Sequence, residues 1–309
     1  MCLSREQPRR PPLSLQFEPR FCSNHVADLS AGCSFGCIYC PFADIAARRI
    51  GVTQPTAVDL SSIEALPAPP TVFLSPASDA FAPQAAGRTH ALLAHWLPRG
   101  TVVGIVTKGV IPSVTLDLLA RYREQIEGVA VGVSSLDADR NRVLEPGCPP
   151  AAARLDNIDR LAGHGLTTSL RMDPLFPGLD DDPAALASLV NEAARRGAWA
   201  ITASYVFTWG RYRRRLRREP LLTESSRLLT ERAPMEGGQA WSVPLARKID
   251  TYSRLAELAN THGLRFNTCG CKDLRVRDSG LCSASCRNTW FLAERTGPAS
   301  TPLPALNAR

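Results

Sequence analysis

The regular alternation of short apolar runs with amphipathic helical patterns is the feature that most constrains the fold. Each run is β-branched or aliphatic and ends in polar residues or glycine, which predicts buried strands. Six strands are predicted, over residues 26–30, 71–75, 102–107, 128–134, 167–172 and 199–207. Helices are predicted over residues 42–49, 87–97, 111–125, 150–163 and 183–195. The connections between the predicted strands and helices are short, which indicates an α/β fold. It is a partial (β/α)6 TIM-type barrel with its chemistry at the carboxyl ends of the strands.

Composition places the chain among globular proteins and indicates how its cysteines are used. The 309 residues are 44% apolar, and no run approaches the roughly 18 apolar residues of a membrane span. The N-terminal stretch "MCLSREQPRRPPLSLQF" has charge and proline where a signal peptide needs an apolar segment. We therefore expect a cytoplasmic protein with no membrane partner, whose ten cysteines serve metal binding or catalysis rather than disulfides.

Three cysteines follow the first predicted strand, in the stretch "AGCSFGCIYC". Cys33, Cys37 and Cys40 have a C-x3-C-x2-C spacing on the rim where the barrel chemistry is expected. A structural zinc site ordinarily has four protein ligands, and no nearby His or Cys completes this set. An iron–sulfur cluster with three thiolate ligands leaves one iron open to a substrate or cofactor. The residues favour such a 4Fe-4S cluster, with a zinc loop and a reactive cysteine loop as alternatives.

With these cysteines, several further stretches resemble one known family. "SPASDAF" at 75–81, "IVTKG" at 105–109, the outline of 133–166 and "DPLFPGLDDDP" at 173–183 are similar to the radical S-adenosylmethionine (SAM) superfamily, in its spore photoproduct lyase and DNA-repair-lyase-like branch. The resemblance covers roughly residues 22–207. It implies that SAM binds the open iron, and that an electron from an external donor such as flavodoxin or ferredoxin cleaves it to a 5'-deoxyadenosyl radical for hydrogen abstraction.

The resemblance also implies cofactor-binding roles for polar residues near the strand ends. Lys108 matches the family lysine that meets the SAM carboxylate, and a solvated lysine at a strand end is the alternative. Ser78 and Asp79 occupy the position that approaches the SAM amino group. Ser134 matches a polar residue near the ribose.

Three more rim residues receive candidate roles. Tyr39 is expected against the adenine, with packing under the cysteine loop as the alternative. Arg171 is expected to anchor SAM or substrate, unless it forms a buried ion pair. Cys148, in "LEPGCPP", is a candidate hydrogen-atom donor in what is first of all a turn.

A second group of cysteines lies near the C-terminus, in "CGCKDLRVRDSGLCSASC". Cys269, Cys271, Cys282 and Cys286 provide four thiolates, a complete tetrahedral set for either zinc or a second cluster. The oxygen-sensitive cluster expected upstream favours an auxiliary 4Fe-4S cluster. This group departs from the spore photoproduct lyase pattern, so a DNA-lesion substrate does not follow from the resemblance.

The excess of positive charge is concentrated in one place. The net charge is +7, and "GRYRRRLRRE" at 210–219 contains six arginines, which indicates an anion-binding face or a solvated loop. A substrate of anionic character, including nucleic acid, is compatible with it. The predicted organisation is a disordered tail, a barrel, a basic linker with a helix and a Cys-rich cap holding the auxiliary metal cluster, and a second disordered tail, over residues 1–20, 21–207, 208–295 and 296–309.

The sequence therefore predicts a radical SAM enzyme that acts on an unidentified substrate. Two alternatives stay open. One is a nucleic-acid repair lyase similar to spore photoproduct lyase. The other is a metal-binding structural or regulatory protein without SAM chemistry.

Overall fold

The structure is a computed structural model that describes residues 14–16, 26–42, 56–57, 59–60, 68–75, 77–235, 238–269 and 272–277. In chain order its strands are β1 (Ser14–Gln16), β2 (Val26–Asp28), β3 (Ser30–Ala31), β4 (Thr56–Ala57), β5 (Thr71–Leu74), β6 (Val102–Thr107), β7 (Ile126–Gly132), β8 (Thr168–Leu175), β9 (Ala200–Tyr205), β10 (Glu231–Met235), β11 (Gly238–Ser242) and β12 (Arg265–Thr268). Its helices are α1 (Ala86–Trp96), α2 (Ser113–Arg121), α3 (Ala138–Leu144), α4 (Ala151–Gly163), α5 (Pro183–Arg195), α6 (Gly210–Arg218), α7 (Thr223–Arg227), α8 (Leu245–Thr261) and α9 (Leu274–Arg277).

One sheet of eight strands organises the molecule, in the order β1-β2-β5-β6-β7-β8-β9-β12. From β2 to β12 every neighbouring pair is parallel. All six predicted strands lie in this sheet in chain order, with helices in the crossovers, so the predicted α/β fold of the partial TIM-barrel type is confirmed.

Two sheet strands come from outside the predicted barrel. β1 pairs antiparallel with β2, although it lies in the segment predicted to be a disordered tail. β12 pairs parallel with β9, from Arg265↔Ala200 to Thr268↔Ala203. It lies within residues 208–295, which the sequence predicts to be a linker and cap outside the barrel. Both strands are only three or four residues long, too short to show a period in the sequence. The parallel sheet therefore has seven strands rather than the predicted six.

The helices cover the sheet by amphipathic packing. In α5, Leu186, Leu189, Val190 and Ala193 are buried at helical spacing against the sheet. The side chain of Asp182 accepts from the Ala185 N–H at 2.9 Å and so caps the first turn. These signals explain why the predicted range 183–195 agrees with the structure.

Two predicted helices differ from the observed ones. The helix predicted over 111–125 is shorter, because Pro112 stands at the N-cap of α2 and a short 3-10 helix, Arg123–Gln125, follows its end. The helix predicted over 42–49 lies outside the described residues except for its first position. Nowhere in the described part of the chain is a helix long and apolar enough to cross a membrane.

The arginine-rich stretch is a helix, which corrects its prediction as a linker or solvated loop. It forms α6, whose Tyr212 and Leu216 lie four residues apart and are both buried. Arginine has a high helix propensity, so the charge does not oppose the helix once these two side chains anchor it. The apolar pair was the signal in the sequence that distinguishes this helix from a loop.

Candidate active site at the carboxyl ends of the strands

One loop, residues 32–40, carries Cys33, Cys37 and Cys40, and we call it the cluster loop. All three are half-buried, and Gly32 and Gly36 take positive φ angles of 79° and 59° at its turns. The loop lies along the segment 144–148, since Ile38 N donates to the Leu144 carbonyl at 3.0 Å and Gly147 N donates to the Phe35 carbonyl at 2.9 Å. The backbone of another loop therefore sets the position of the cysteines.

Gly147 is required by this close approach. A Cβ atom at residue 147 would lie 2.6 Å from the Ser34 carbonyl oxygen and 2.9 Å from Phe35 Cα. Both are backbone atoms, which cannot move aside as a flexible side chain could. The glycine that signalled a turn in the sequence is thus also a contact point of the cluster loop.

The thiols of the cluster loop differ in their ionisation. Burial raises the pKa of Cys33 to about 12. The pKa of Cys37 is instead lowered, first by a hydrogen bond with Cys148, whose Sγ lies 3.6 Å from Cys37 Sγ, and further by the charge of Lys108. The pKa of Cys148 is raised by the same hydrogen bond and by burial. The thiolate form is therefore favoured at Cys37 over Cys33 and Cys148.

Glu145 connects the cluster loop to the rest of the strand ends. Its side chain is fully buried, and it lies 2.6 Å from Arg154 Nη1, 3.1 Å from Lys108 Nζ and 3.8 Å from Arg140 Nη1. The hydroxyl of Tyr39 also donates to it. Burial alone would raise the pKa of Glu145, but Lys108 and Arg154 outweigh burial and lower it to about 2. Tyr39 and Lys108 are thus brought together through one carboxylate.

Ser78 and Asp79 reach the predicted edge but already have protein partners. Asp79 accepts from Thr107 Oγ1 and Lys108 N, both at 2.6 Å, and burial raises its pKa. Ser78 Oγ donates to Asp28 at 3.0 Å. These bonds fix the loops that follow β5 and β6, and the direct SAM contacts predicted for both residues stay predictions.

Ser134 and Arg171 complete the same edge. The hydroxyl of Ser134, after β7, is buried and makes no hydrogen bond with any described residue. Arg171 Nη2 pairs with Asp173 at 2.5 Å and also interacts with the buried Cys269. Lys272 pairs with the same Asp173, whose pKa burial would raise but the two cations hold below its ordinary value. Arg171 thus forms a buried ion pair, and its predicted role as an anchor for SAM or substrate stays a prediction.

Sequence reasoning missed the residues that join these side chains. Glu145 and Asp173 fall in no ligand spacing, and each has partners far along the chain: Tyr39 and Lys108 for Glu145, and Lys272 for Asp173. The stretch "RNRVLEPG" offered no signal beyond its helical charge pattern. Of the second cysteine group, only Cys269 is described, and Cys271, Cys282 and Cys286 lie outside the described residues.

The cluster loop presents three thiols, the number that holds a 4Fe-4S cluster with one open iron. In the described part of the chain, no three His, Cys, Asp or Glu side chains are close enough together to hold one metal ion. The ligands of a mononuclear zinc converge on one centre about 2.3 Å from each sulfur, whereas the thiolates of a 4Fe-4S cluster each bind a different iron. A parallel α/β sheet with a three-cysteine loop at its carboxyl edge defines a class of barrel enzymes that hold an iron–sulfur cluster.

The comparison with protein families identifies this class. The Radical SAM superfamily matches residues 28–190, more than half of the chain. The chain belongs to the radical SAM superfamily, whose enzymes use a 4Fe-4S cluster and SAM and need a reductant. The predicted family and enzyme class are therefore confirmed.

Similar sequences cover only part of the chain. An uncharacterized protein of Mycobacterium tuberculosis is 31% identical over 158 residues, covering 44% of this chain and 46% of that protein. An uncharacterized protein of Acidianus two-tailed virus is 30% identical over 106 residues, covering 34% of this chain and 35% of that protein. The chain thus spans less than half the length of these relatives.

Solved structures show the same fold at low identity. Spore photoproduct lyase in complex with a dinucleoside spore photoproduct has a TM-score of 0.62 at 16% identity, covering 82% of this chain and 78% of the lyase. A radical SAM methyltransferase from Kitasatospora setae, with tryptophan and a SAM analogue bound, has a TM-score of 0.51 at 15% identity, covering 75% of this chain and 51% of the methyltransferase. The predicted likeness to spore photoproduct lyase is confirmed at the level of the fold.

Proposed function

We propose that this chain reductively cleaves SAM at a 4Fe-4S cluster held by Cys33, Cys37 and Cys40. The observation that carries the proposal is the placement of these thiols on one loop after the first parallel strand, where a hydrogen bond with Cys148 and the charge of Lys108 lower the pKa of Cys37. The cluster, when bound, supplies one electron and one open iron, and cleavage of SAM there gives a radical that removes a substrate hydrogen atom.

The residues of the chain have distinct parts in this proposal. Lys108 binds the SAM carboxylate, because its ammonium lies at the carboxyl end of β6 and is oriented by Glu145. Ser134 has a buried hydroxyl without a partner among the described residues, which suits a ligand hydroxyl or heteroatom. Asp79 orients the Lys108 backbone, and Tyr39 closes the floor beneath the cluster loop.

Cys148 has two roles consistent with its position. Its Sγ lies within hydrogen-bond distance of Cys37 Sγ, at 3.6 Å, and a hydrogen bond to a ligand sulfur tunes the potential of an iron–sulfur cluster. A thiol this close to Cys37 would also be placed to return a hydrogen atom to a substrate radical. The Cys148→Ser variant separates the roles, because an altered cluster potential with unchanged product would leave only the first.

The test of SAM cleavage is anaerobic. The reconstituted protein should convert SAM to 5'-deoxyadenosine when dithionite is present, and Cys37→Ala should reduce product to the level without enzyme. Cys2→Ala is the matched control, since Cys2 has no proposed role and should leave cleavage unchanged. Full activity of Cys37→Ala would remove the proposal.

We also propose that Cys269, Cys271, Cys282 and Cys286 hold an auxiliary 4Fe-4S cluster, with zinc as the alternative. The four-thiolate set and the burial of Cys269 beside Arg171 support a metal site that is joined to the barrel. The reconstituted protein should carry about eight irons per chain, and the Cys282→Ala/Cys286→Ala variant about four. About four irons and one zinc in the unaltered protein would identify a structural zinc site instead.

The substrate is proposed only by class. A nucleic-acid lyase activity is the second candidate, favoured by the fold shared with spore photoproduct lyase. The reductant is proposed to be a flavodoxin or ferredoxin. Because the chemistry needs reduced thiols and a reducing partner, the cytoplasm is the proposed location.

A further inference from the structure

Helix α6 has two different faces, and the inner face holds the cluster loop. Tyr212 and Leu216 are buried one turn apart. The Tyr212 hydroxyl donates to the Tyr39 carbonyl, and the Arg215 guanidinium donates to the Cys40 carbonyl at 2.5 Å. Both acceptors are main-chain atoms at the end of the cluster loop. The helix therefore lies directly against the loop that carries the third cysteine.

The outer face of α6 carries charge that the structure does not neutralise. Arg214, Arg217 and Arg218 are exposed, and their spacing of three and four residues places them on one side of the helix. None of the three forms an ion pair with a described side chain. Leu221, also exposed, lies three residues after the helix ends. The result is a small helical surface with a triple positive charge.

This surface is close to the proposed cluster. An α-helix with its side chains is about 10–12 Å across, so the outer face lies about one helix width from the backbone of Cys40. A reductant for this cluster must bring its own redox centre near the cluster loop. A partner seated on the outer face of α6 would meet that requirement.

We propose that the outer face of α6 docks an acidic one-electron donor protein of the flavodoxin or ferredoxin class. The proposal rests on the proposed function, because it names the reductant's binding surface for that site. The donor loses one electron and the cluster gains it, and no proton or group is transferred. Complementary charge would steer the encounter and raise its rate, as it does in other transient complexes. A small interface is sufficient, because electron-transfer complexes are weak.

The observations favour a protein over a nucleic acid on this surface. Proteins that bind single-stranded nucleic acids without sequence preference combine a basic groove with aromatic rings on which bases stack. The rings beside α6 are already engaged: Tyr212 is buried, Trp209 stacks on Phe207 at 5.5 Å, and Trp241 lies 4.2 Å from the guanidinium of Arg213. The exposed face itself carries no aromatic residue, because the one aromatic residue of α6 is the buried Tyr212.

The test compares a protein reductant with a small one. The Arg214→Glu/Arg217→Glu/Arg218→Glu variant is mixed with reduced flavodoxin, and separately with reduced ferredoxin, and cluster bleaching is followed by stopped flow. We expect the second-order rate constant to fall at least about tenfold at low ionic strength. The difference should shrink as salt is added. With dithionite, both reduction of the cluster and formation of 5'-deoxyadenosine should stay unchanged.

A matched control lies at the opposite edge of the sheet. Arg99, Arg121 and Arg123 are exposed and precede β6 and β7, so they stand near the amino ends of the strands. The Arg99→Glu/Arg121→Glu/Arg123→Glu variant has the same change of net charge. Its reduction by flavodoxin and ferredoxin should remain within about threefold of the unaltered protein, because the remaining effect is only that of net charge.

Several outcomes would overturn the proposal. They are equal losses in both triple variants, no loss in the α6 variant, a loss that extends to dithionite, or no reduction of the unaltered protein by either donor. Binding of a short single-stranded oligonucleotide that the α6 variant loses, while donor-driven reduction persists, would assign the surface to nucleic acid. Cluster bleaching and 5'-deoxyadenosine are separate readouts. Bleaching without SAM cleavage would therefore refute the proposed function and leave the docking result valid.

Discussion

Two buried carboxylates lie at the same edge of the sheet, and each holds a different part of the chain. Glu145 joins Lys108 to the cluster loop through Tyr39, entirely within the segment that matches the family. Asp173 joins strand β8 to Lys272, which follows the outermost strand β12. Both carboxylates have pKa values below their ordinary range, because neighbouring cations outweigh burial.

The two carboxylates and their ion-pair partners differ in how exposed they are to solvent. The carboxylate of Glu145 is fully buried, and Lys108 is 15% exposed. Asp173 is 9% exposed and Lys272 20% exposed. The ion pairs of Glu145 fix the loop that is proposed to hold the cofactor. The ion pairs of Asp173 fasten the C-terminal segment, with Cys269 beside it, to the barrel. The comparison indicates that removing the first carboxylate should cost more than removing a partner of the second.

The largest expected effect is that of Glu145→Gln. The folded-state pKa of about 2 lies below the ordinary value of 4.5, so the ionised carboxylate contributes stability at neutral pH. This contribution should be complete above about pH 4.5 and lost as the pH falls toward 2, and it amounts to about 3 kcal/mol.

Urea unfolding at pH 7 should show that loss in Glu145→Gln, and the difference from the unaltered protein should narrow below pH 4.5. Glu192→Gln is the control, because Glu192 forms ion pairs with Arg195 and Arg196 at the surface and should change stability by less than about 1 kcal/mol. Equal losses of stability in the two variants would contradict the greater contribution expected from the buried Glu145.

A smaller effect, on ligand binding, is expected for Lys108→Ala. The ammonium is predicted to bind the SAM carboxylate, and a hydrogen bond to a charged group contributes about 1–3 kcal/mol. The dissociation constant of SAM should rise accordingly when measured by equilibrium binding to the reconstituted protein. An unchanged constant would leave Lys108 as a structural partner of Glu145 alone.

The smallest effect is expected for Lys272→Ala, because Lys272 pairs with Asp173 as Lys108 pairs with Glu145. Arg171 remains to pair with Asp173, and Lys272 is partly open to solvent, so the stability should fall by about 1 kcal/mol. SAM affinity should stay unchanged. A loss of SAM binding as large as that of Lys108→Ala would show that the ion pairs of Glu145 and of Asp173 belong to one site.

Periodicity was sufficient to predict the strands that alternate with helices, but not the edge strands. The run 200–205 is buried at every position and reads as a strand, whereas "RFNT" in β12 is too short to show a pattern. The three cysteines of the cluster loop could be predicted because their spacing is itself local. Glu145 could not, because its partners Tyr39 and Lys108 lie 106 and 37 residues away in the chain. Its role depends on the order of strands in the sheet.

The contacts of the cluster loop have a consequence for cofactor loading. The loop is held by main-chain bonds to segment 144–148 and by side chains of α6 that reach its own carbonyls. Much of the conformational entropy of the loop is therefore lost when the protein folds rather than when iron arrives. In small zinc domains, by contrast, metal binding and folding are a single event. Iron insertion in this chain would meet a preorganised set of thiols, so chelation of the metal should leave the barrel folded and ready to be loaded again.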